Sequence, residues 1–355
     1  MKKASIIIAV DSDFPLINNF FELLFKTHTC YSYEIIVVDD CCSDIQTVTL
    51  LQRLHSEGKI DKLLQLPQKV GFGRANNAGV SLSTTEYLVL LNTDIIFRGK
   101  EIDMLLERMI ELNCEAIQPL LLYPQNGKIQ SSGHIFGNLF NRHALENNSP
   151  SVFKGKREID RQAITPAFCI IQKQAFIKAG QFDEFYYNSY EALDLTLSIH
   201  LNGGRCVVAT DIWAYHIRMA SRSNIQYNEE QQNPHFWKKY GALTTNDYIN
   251  LVNNQITESM RVEKYIVCCF THLDLIAELS KIELNFVEVI NLQQSGKIEL
   301  FGKLPYSFLH TPYPLLLLCN NINLIAGNAL WISLRSNPKD LVIDSSGNVL
   351  YLQAM

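Results

Sequence analysis

The sequence predicts an α/β protein built on a three-layer, mostly parallel sheet, with a smaller C-terminal α+β module. Three observations point there. Short β-branched segments are apolar on both faces, as strands buried inside a parallel sheet are. They alternate with segments of helical apolar spacing, the order that βαβ crossovers produce. Two of them stop abruptly in carboxylates, at Asp39-Asp40 and at Asp94, and the carboxyl edge of such a sheet is where these folds gather ligands.

Ser5 to Val10 reads as the first strand. The polar break from Asp11 to Pro15 precedes a helix over Leu16 to Phe25, where Leu16, Phe20, Leu23 and Leu24 share one side. Glu34 to Val38 is a second strand, Thr47 to Leu54 a short helix and Leu63 to Leu66 a third strand. Gly71 to Ser83 holds a Gly-rich turn and a helix, Tyr87 to Leu91 a fourth strand, and Glu101 to Leu112 an amphipathic helix. After Ala116 the pattern changes. Asn126-Gly127 between the apolar runs Ile117 to Tyr123 and Lys128 to Ser131 is a hairpin signal. Residues 141–163 are polar and aperiodic, which predicts a long mobile loop or lid. Ala167 to Gln172 is a strand, and Lys173 to Gly180 and Tyr190 to Asn202 are helices, the second stopped by Gly203-Gly204. Arg205 to Ala209 is a further strand, leading to Trp213-Ala214-Tyr215-His216.

Composition shifts near Pro234 to Ala242, so the domains are read as 1–240 and 241–355. The second part carries strand-like runs at Tyr265 to Phe270, Leu284 to Leu292, Leu315 to Cys319, Ala329 to Leu334 and Asp340 to Leu352. Asp344-Ser345-Ser346-Gly347-Asn348 is read as a turn.

With 355 residues, 47% hydrophobic and 19% charged, the chain can bury a sizeable core. A net charge of −5 leaves no basic footprint for nucleic acid. No apolar run approaches the ~20 residues a membrane helix needs. Ala4 to Val10 is too short for a secretory segment, so the expected location is cytoplasmic. Nine cysteines include the adjacent pairs Cys41-Cys42 and Cys268-Cys269 but no CxxC, and read as free thiols rather than a metal or disulfide framework.

Several residues could carry chemistry. Asp39 and Asp40 could accept hydrogen bonds from a nucleobase imide or a ribose hydroxyl, or cap the following helix. Gly71, Gly73 and Gly79 lack the GxGxxG spacing of nicotinamide folds. Arg74 and Asn77 at that helix start could hold a diphosphate or ribose, since helix N-termini offer amides to anions. Asn92-Thr93-Asp94 is a candidate metal element, because Mg²⁺ and Mn²⁺ take one or two carboxylates plus phosphate oxygens. His216 offers a neutral imidazole. Glu191 and Asp194 share a helix face and could supply a general base.

Taken in order, these stretches resemble the inverting glycosyltransferases of family 2, with the GT-A fold. The matching pieces are Ala4 to Val10, Glu34 to Asp40, Gly71 to Gly79, Tyr87 to Asp94, Gln130-Ser131-Ser132-Gly133, Gly180 to Glu184 and Tyr190 to Leu195, with His216 beyond. The resemblance covers residues 4–240 and points to the branch with rhamnosyl- and galactofuranosyltransferases of bacterial surface glycans.

That resemblance implies a nucleotide pocket at Val10, Asp39, Asp40, Arg74 and Asn77, and a metal site at Asp94 and His216 for Mn²⁺ or Mg²⁺. It implies a UDP- or dTDP-sugar donor and a saccharide acceptor, lipid-linked in many members. Peripheral association with the inner membrane and self-association through the C-terminal module fit the same picture. Three departures stand out. Ala9 and Asp11 replace the family's Pro and aromatic residue, Asn92 replaces the first acid of its DXD element, and Ala192 replaces the Asp that commonly serves as base. Glu191 or Asp194 then takes the proton, and Glu191 is favoured by adjacency and reach. The alternative is a slow or inactive GT-A-fold protein kept for nucleotide binding or scaffolding.

Overall fold

The computed structural model describes residues 2–27, 29–137, 140–217, 229–253, 256, 258–270, 281–291, 311–319 and 337–351. The chain forms two compact units, Met1–His134 with Asn147–Leu243, and Ile135–Glu146 with Thr244–Met355.

The first unit is organised by strands β1 (Ala4–Val10), β2 (Tyr33–Asp39), β3 (Lys62–Gln65) and β4 (Tyr87–Leu91), which lie in the order β4-β1-β2-β3 and run parallel. Beyond β4 the sheet continues through β11 (Phe168–Gln172), β6 (Ala116–Leu122), β12 (Cys206–His216) and β10 (Glu158–Arg161). Here β11 runs antiparallel to both neighbours, β6 and β12 are parallel, and β10 is an antiparallel edge. Two short strands complete it: β5 (Ile95–Ile96) on β12, and β7 (Ile129–Ser131) on β6 through the hairpin closed by Gly127.

The period of two in β1 shows why the unit has three layers. Ala4, Ile6, Ile8 and Val10 enter one core with Phe20 and Phe21 of α1 (Phe14–Lys26), Leu51 of α2 (Ile45–Ser56) and Leu105 of α4 (Glu101–Leu112). Ile7 points the other way, against α3 (Phe72–Leu82). A Cβ on Gly79 of α3 would lie 2.6 Å from Ile7 Cγ2 and 3.1 Å from Val38 Cγ2, so only glycine lets that helix lie this close. Local signals set the helix starts: Asp13 accepts from Leu16 N–H, Asp44 from Gln46 N–H, and Glu101 from the N–H groups of Arg98 and Gly99. At the opposite edge buried Glu34 accepts from Ser5 Oγ at 2.5 Å and Thr84 N–H at 2.9 Å, and pairs with Lys62 at 2.8 Å.

Several expectations need correction. Residues 141–163 are not one long loop: they include β9 (Phe140–His143), a 3₁₀ turn at Pro150–Phe153 and β10. Their polarity misled because β10 is a short edge strand, where alternation weakens. Arg205 to Ala209 and Trp213 to His216 are one strand, β12, joined across a register shift between Ala209 and Trp213. Pro234, in the stretch where composition shifts, lies inside helix α7 (Glu229–Tyr240).

The second unit contains helices α8 (Asp247–Asn253) and α9 (Glu258–Arg261) and a sheet of order β14-β13-β15-β16-β17. These strands are β13 (Lys264–Phe270), β14 (Asn285–Asn291), β15 (Leu315–Cys319), β16 (Leu341–Asp344) and β17 (Val349–Tyr351). The first four are parallel and only the β16–β17 hairpin is antiparallel, so this sheet is more parallel than an α+β module implies. The expected strand at Ala329 to Leu334 lies outside the described residues. A single cut at residue 240 does not follow the contacts either. The hairpin of β8 (His134–Gly137) and β9 lies largely in the second unit, where Ile135 and Ala144 join the core of Tyr248, Tyr265, Leu316 and Ile343.

Candidate active site

The carboxyl ends of β1, β2 and β4 lie side by side and bring Val10, Asp39 and Asp94 to one edge, with Val10 and Asp39 in register. Asp40 N–H donates to Val10 O at 2.9 Å, which fixes the turn after β2. The two acids are buried and engaged. Asp39 accepts from Cys42 N–H at 2.7 Å and Gln65 Nε2 at 3.2 Å; Asp40 accepts from Val70 N–H at 2.7 Å and Gly71 N–H at 2.9 Å. The adjacent Phe72 N–H donates to Asn188 Oδ1 at 2.9 Å. Three amides at the start of α3, those of Val70, Gly71 and Phe72, are therefore already used within the protein. A ring from the same loop closes over them. A Cβ on Gly71, whose φ is +87°, would lie 2.8 Å from the Tyr187 ring.

Arg74 and Asn77 are also engaged. Half-exposed Arg74 reaches Glu184, Nε to Oε2 at 3.3 Å and Nη2 to the backbone oxygen at 3.2 Å. Asn77 clamps the backbone of Phe182, its Nδ2 donating to O at 2.9 Å and its Oδ1 accepting from N–H at 3.1 Å. Both tie α3 to the segment between α5 (Lys173–Lys178) and α6 (Glu191–Leu201).

Asp94 and His216, far apart in sequence, meet because β5 pairs with the end of β12, and Ile217 N–H donates to Asp94 O at 3.0 Å. His216 Nε2 lies 3.1 Å from Asp94 Oδ1. That oxygen is buried, yet no hydrogen bond from a described residue reaches it, so the imidazole stands close without aiming a proton at it. Two ligand atoms on adjacent corners of an octahedron with ~2.1 Å arms are about 3.0 Å apart. The orphaned oxygen and the spacing fit a hard divalent cation. Among the described residues no group of three or more His, Cys, Asp or Glu side chains converges, so the remaining corners would fall to phosphate oxygens and water.

At α6 the two candidate bases differ. Asp194 is buried and bound on every side: Lys239 Nζ donates at 2.8 and 2.9 Å, and Tyr186 Oη at 3.1 Å. Burial pushes its carboxyl above the usual range, with Lys239 working against that shift. Beside this pair opens a cavity of about 340 Å³, lined by Asn77, Gly180, Phe182, Asp183, Asp194 and Lys239 among others. Glu191 is also buried, and lies against the start of α3: a Cβ on Gly73 would stand 3.1 Å from its Cγ. Half-buried Ala192 follows it.

Sequence patterns did not single out Lys239, Tyr186 or Gln232 as partners of this region. Gln232 accepts from Tyr187 N–H at 3.1 Å, and no spacing announces a contact 45 residues away. Cys30, Cys41, Cys42, Cys114, Cys169, Cys206 and Cys319 are free, and burial pushes the Cys114 thiol up to about 12.

Residues 5–178 match the model of the family described as Glycosyl transferase family 2. The match ends before α6 and β12, so Glu191, Asp194 and His216 lie beyond it. Solved structures with a similar fold include GalNAc-T7 with UDP, GalNAc and Mn²⁺, at 14% identity and a TM-score of 0.52, covering 60% of this chain and 43% of that one. S. aureus TarS 1-349 aligns at 16% identity and 0.48, over 72% and 67% of the two chains. The mannosyltransferase PcManGT from Pyrobaculum calidifontis with GDP-Man and Mn²⁺ aligns at 14% and 0.47, over 62% and 58%. This chain thus spans less than half of the GalNAc-T7 chain. At such identities the likeness is one of fold, and the fold of the first unit is GT-A.

Proposed function

We propose, from the premise that the first unit carries a glycosyltransferase family 2 domain, that this protein moves a sugar from a nucleoside-diphosphate donor to a saccharide acceptor. The observation that carries this is the Asp94–His216 pair, a buried carboxylate oxygen without a hydrogen bond facing an imidazole nitrogen at the carboxyl edge of the sheet. The donor is a UDP- or dTDP-sugar. The nucleoside lies against Val10, Asp39 and Asp40, with Arg74 at the rim and Asn77 shaping it through Phe182.

Mn²⁺ or Mg²⁺ held by Asp94 and His216 would supply positive charge to the leaving diphosphate. Glu191 takes the proton of the acceptor hydroxyl as its oxygen bonds to the anomeric carbon and the bond to the diphosphate breaks, with inversion. Asp194, committed to Lys239 and Tyr186, holds α6 in place. The inverting course, and a role in bacterial surface polysaccharide such as O-antigen or capsule, rest on the motif resemblance. So does a lipid-linked acceptor met at the inner membrane. Among the described residues no helix is long and apolar enough to cross a membrane. Ala192 favours one second reading, a nucleotide-binding protein with little or no turnover.

Thermal unfolding with UDP, dTDP, GDP and CMP, each with Mn²⁺ or EDTA, tests the proposal. A ligand at 100 times its dissociation constant stabilises by about 2.7 kcal/mol. A metal-dependent shift with one nucleotide, lost in His216→Ala, supports it. No shift with any of them overturns it.

A further inference from the structure

Gln130, on β7 beside the end of β12, is buried and touches His216 twice. Its Nε2 donates to the His216 backbone oxygen at 2.8 Å, and its Oε1 lies 2.5 Å from His216 Nδ1. The first contact fixes which way the amide faces, because only the NH₂ end can donate to a carbonyl. The oxygen must then face the ring. An oxygen at that distance accepts, so Nδ1 donates, and in the neutral ring Nε2 then holds the lone pair. Nε2 stands 3.1 Å from Asp94 Oδ1, the buried oxygen that no hydrogen bond from a described residue reaches.

We propose that Gln130 is a positioning residue that locks His216 in the Nδ1–H tautomer and so presents Nε2 and Asp94 Oδ1 together to a divalent cation. The proposal rests on the metal site proposed above. The two halves of the amide have separate tasks: Oε1 chooses the tautomer, while Nε2 anchors the strand that carries the ring. Outer partners of ligating histidines commonly contribute 10–100-fold in metal affinity.

The experiment compares wild type, Gln130→Leu, Gln130→Glu and His216→Ala. Long-range ¹H–¹⁵N correlation of histidine rings in the metal-free protein identifies the His216 signal by its loss in His216→Ala. It should show Nδ1–H in wild type and in Gln130→Glu, and Nε2–H in Gln130→Leu. Mn²⁺ affinity with UDP present, measured by titration calorimetry, should fall 10–100-fold in Gln130→Leu and stay within a few-fold of wild type in Gln130→Glu. An Nε2–H tautomer in wild type overturns the proposal. So does an unchanged Mn²⁺ affinity in Gln130→Leu, or an equal loss in Leu and Glu variants, which would leave Gln130 only a strand anchor. The tautomer needs no metal. If wild type shows Nδ1–H but His216→Ala binds Mn²⁺ unchanged, the metal site fails on its own account and the affinity role of Gln130 falls with it.

Discussion

Replacing Lys239 by Met should destabilise the first unit in a strongly pH-dependent way. Asp194 is 2% exposed and receives its charge partner from Lys239 alone among the contacts named, with Tyr186 adding one neutral donor. Without Lys239 the carboxylate either stays charged and unpaired or takes a proton. Protonating a carboxyl of ordinary value 3.8 at pH 7 costs about 4.4 kcal/mol, at about 1.36 kcal/mol per unit. That is the ceiling, since a larger penalty would simply be relieved by protonation. A loss of about 3–4 kcal/mol at pH 7 is expected, in the range for breaking buried pairs. In the variant the folded value of Asp194 lies above its unfolded value. Its contribution is therefore intact below pH 3.8 and is lost as pH rises toward the folded value. The gap between variant and wild type should shrink by about 1.4 kcal/mol per unit as pH falls from 7, and nearly close by pH 4.5. Urea unfolding at pH 4.5, 5.5 and 7, followed by tryptophan fluorescence, reads this, since Trp213 and Trp237 both lie in the first unit. Adding Asp194→Asn should recover most of the loss. A gap equal at all three pH values, or below 1 kcal/mol at pH 7, refutes the reasoning.

Glu34 should behave in the opposite sense. Burial raises its carboxyl, but Lys62, Ser5 and Thr84 outweigh that and hold it at about 2, against an ordinary 4.5. Its contribution, about 3 kcal/mol, is present above pH 4.5 and lost as pH falls toward 2, so Glu34→Gln should lower stability at pH 7 and flatten the acid limb of a Tm–pH profile. Glu191→Gln should lower sugar transfer about 100-fold or more while leaving the UDP-dependent thermal shift in place. Ala192→Asp should raise turnover at least 10-fold, and if Glu191→Gln keeps full turnover the base lies elsewhere.

Most strands and helices of residues 4–122 are legible in the sequence because they are buried on both faces or along one stripe, and that burial writes a period; the two-residue β5 is too short to write one. Asp94 and His216 were legible as residue types at strand ends. What pattern could not show was their meeting, which depends on β5 turning back onto β12. The engagement of Asp40 with Val70 and Gly71 was hidden for the same reason: the motif names an acid and a Gly-rich turn, but only the fold puts one under the other. Asp194 shows the reverse case, a residue equivalent to Glu191 on a helical face whose partner, Lys239, comes from a helix 45 residues on. The polar edge strand β10 and the Pro-containing α7 escaped because neither writes an apolar period.

The hairpin at Ile135–Glu146 has a consequence for how the chain is made. Leu145 N–H donates to Ser346 O at 3.0 Å, and Asn348 Nδ2 donates to Glu146 O at 2.8 Å. These partners leave the ribosome about 200 residues after the hairpin does, a wait on the order of 10–40 s at 5–20 residues per second. Meanwhile Asn147–Leu243 emerges and can complete the first sheet around an unfinished excursion. Ending translation at Leu243 would strand Ile135 and Ala144 without the core they enter. The second unit thus draws one hairpin from within the sequence of the first, and it cannot be finished until the chain has been made past Asn348.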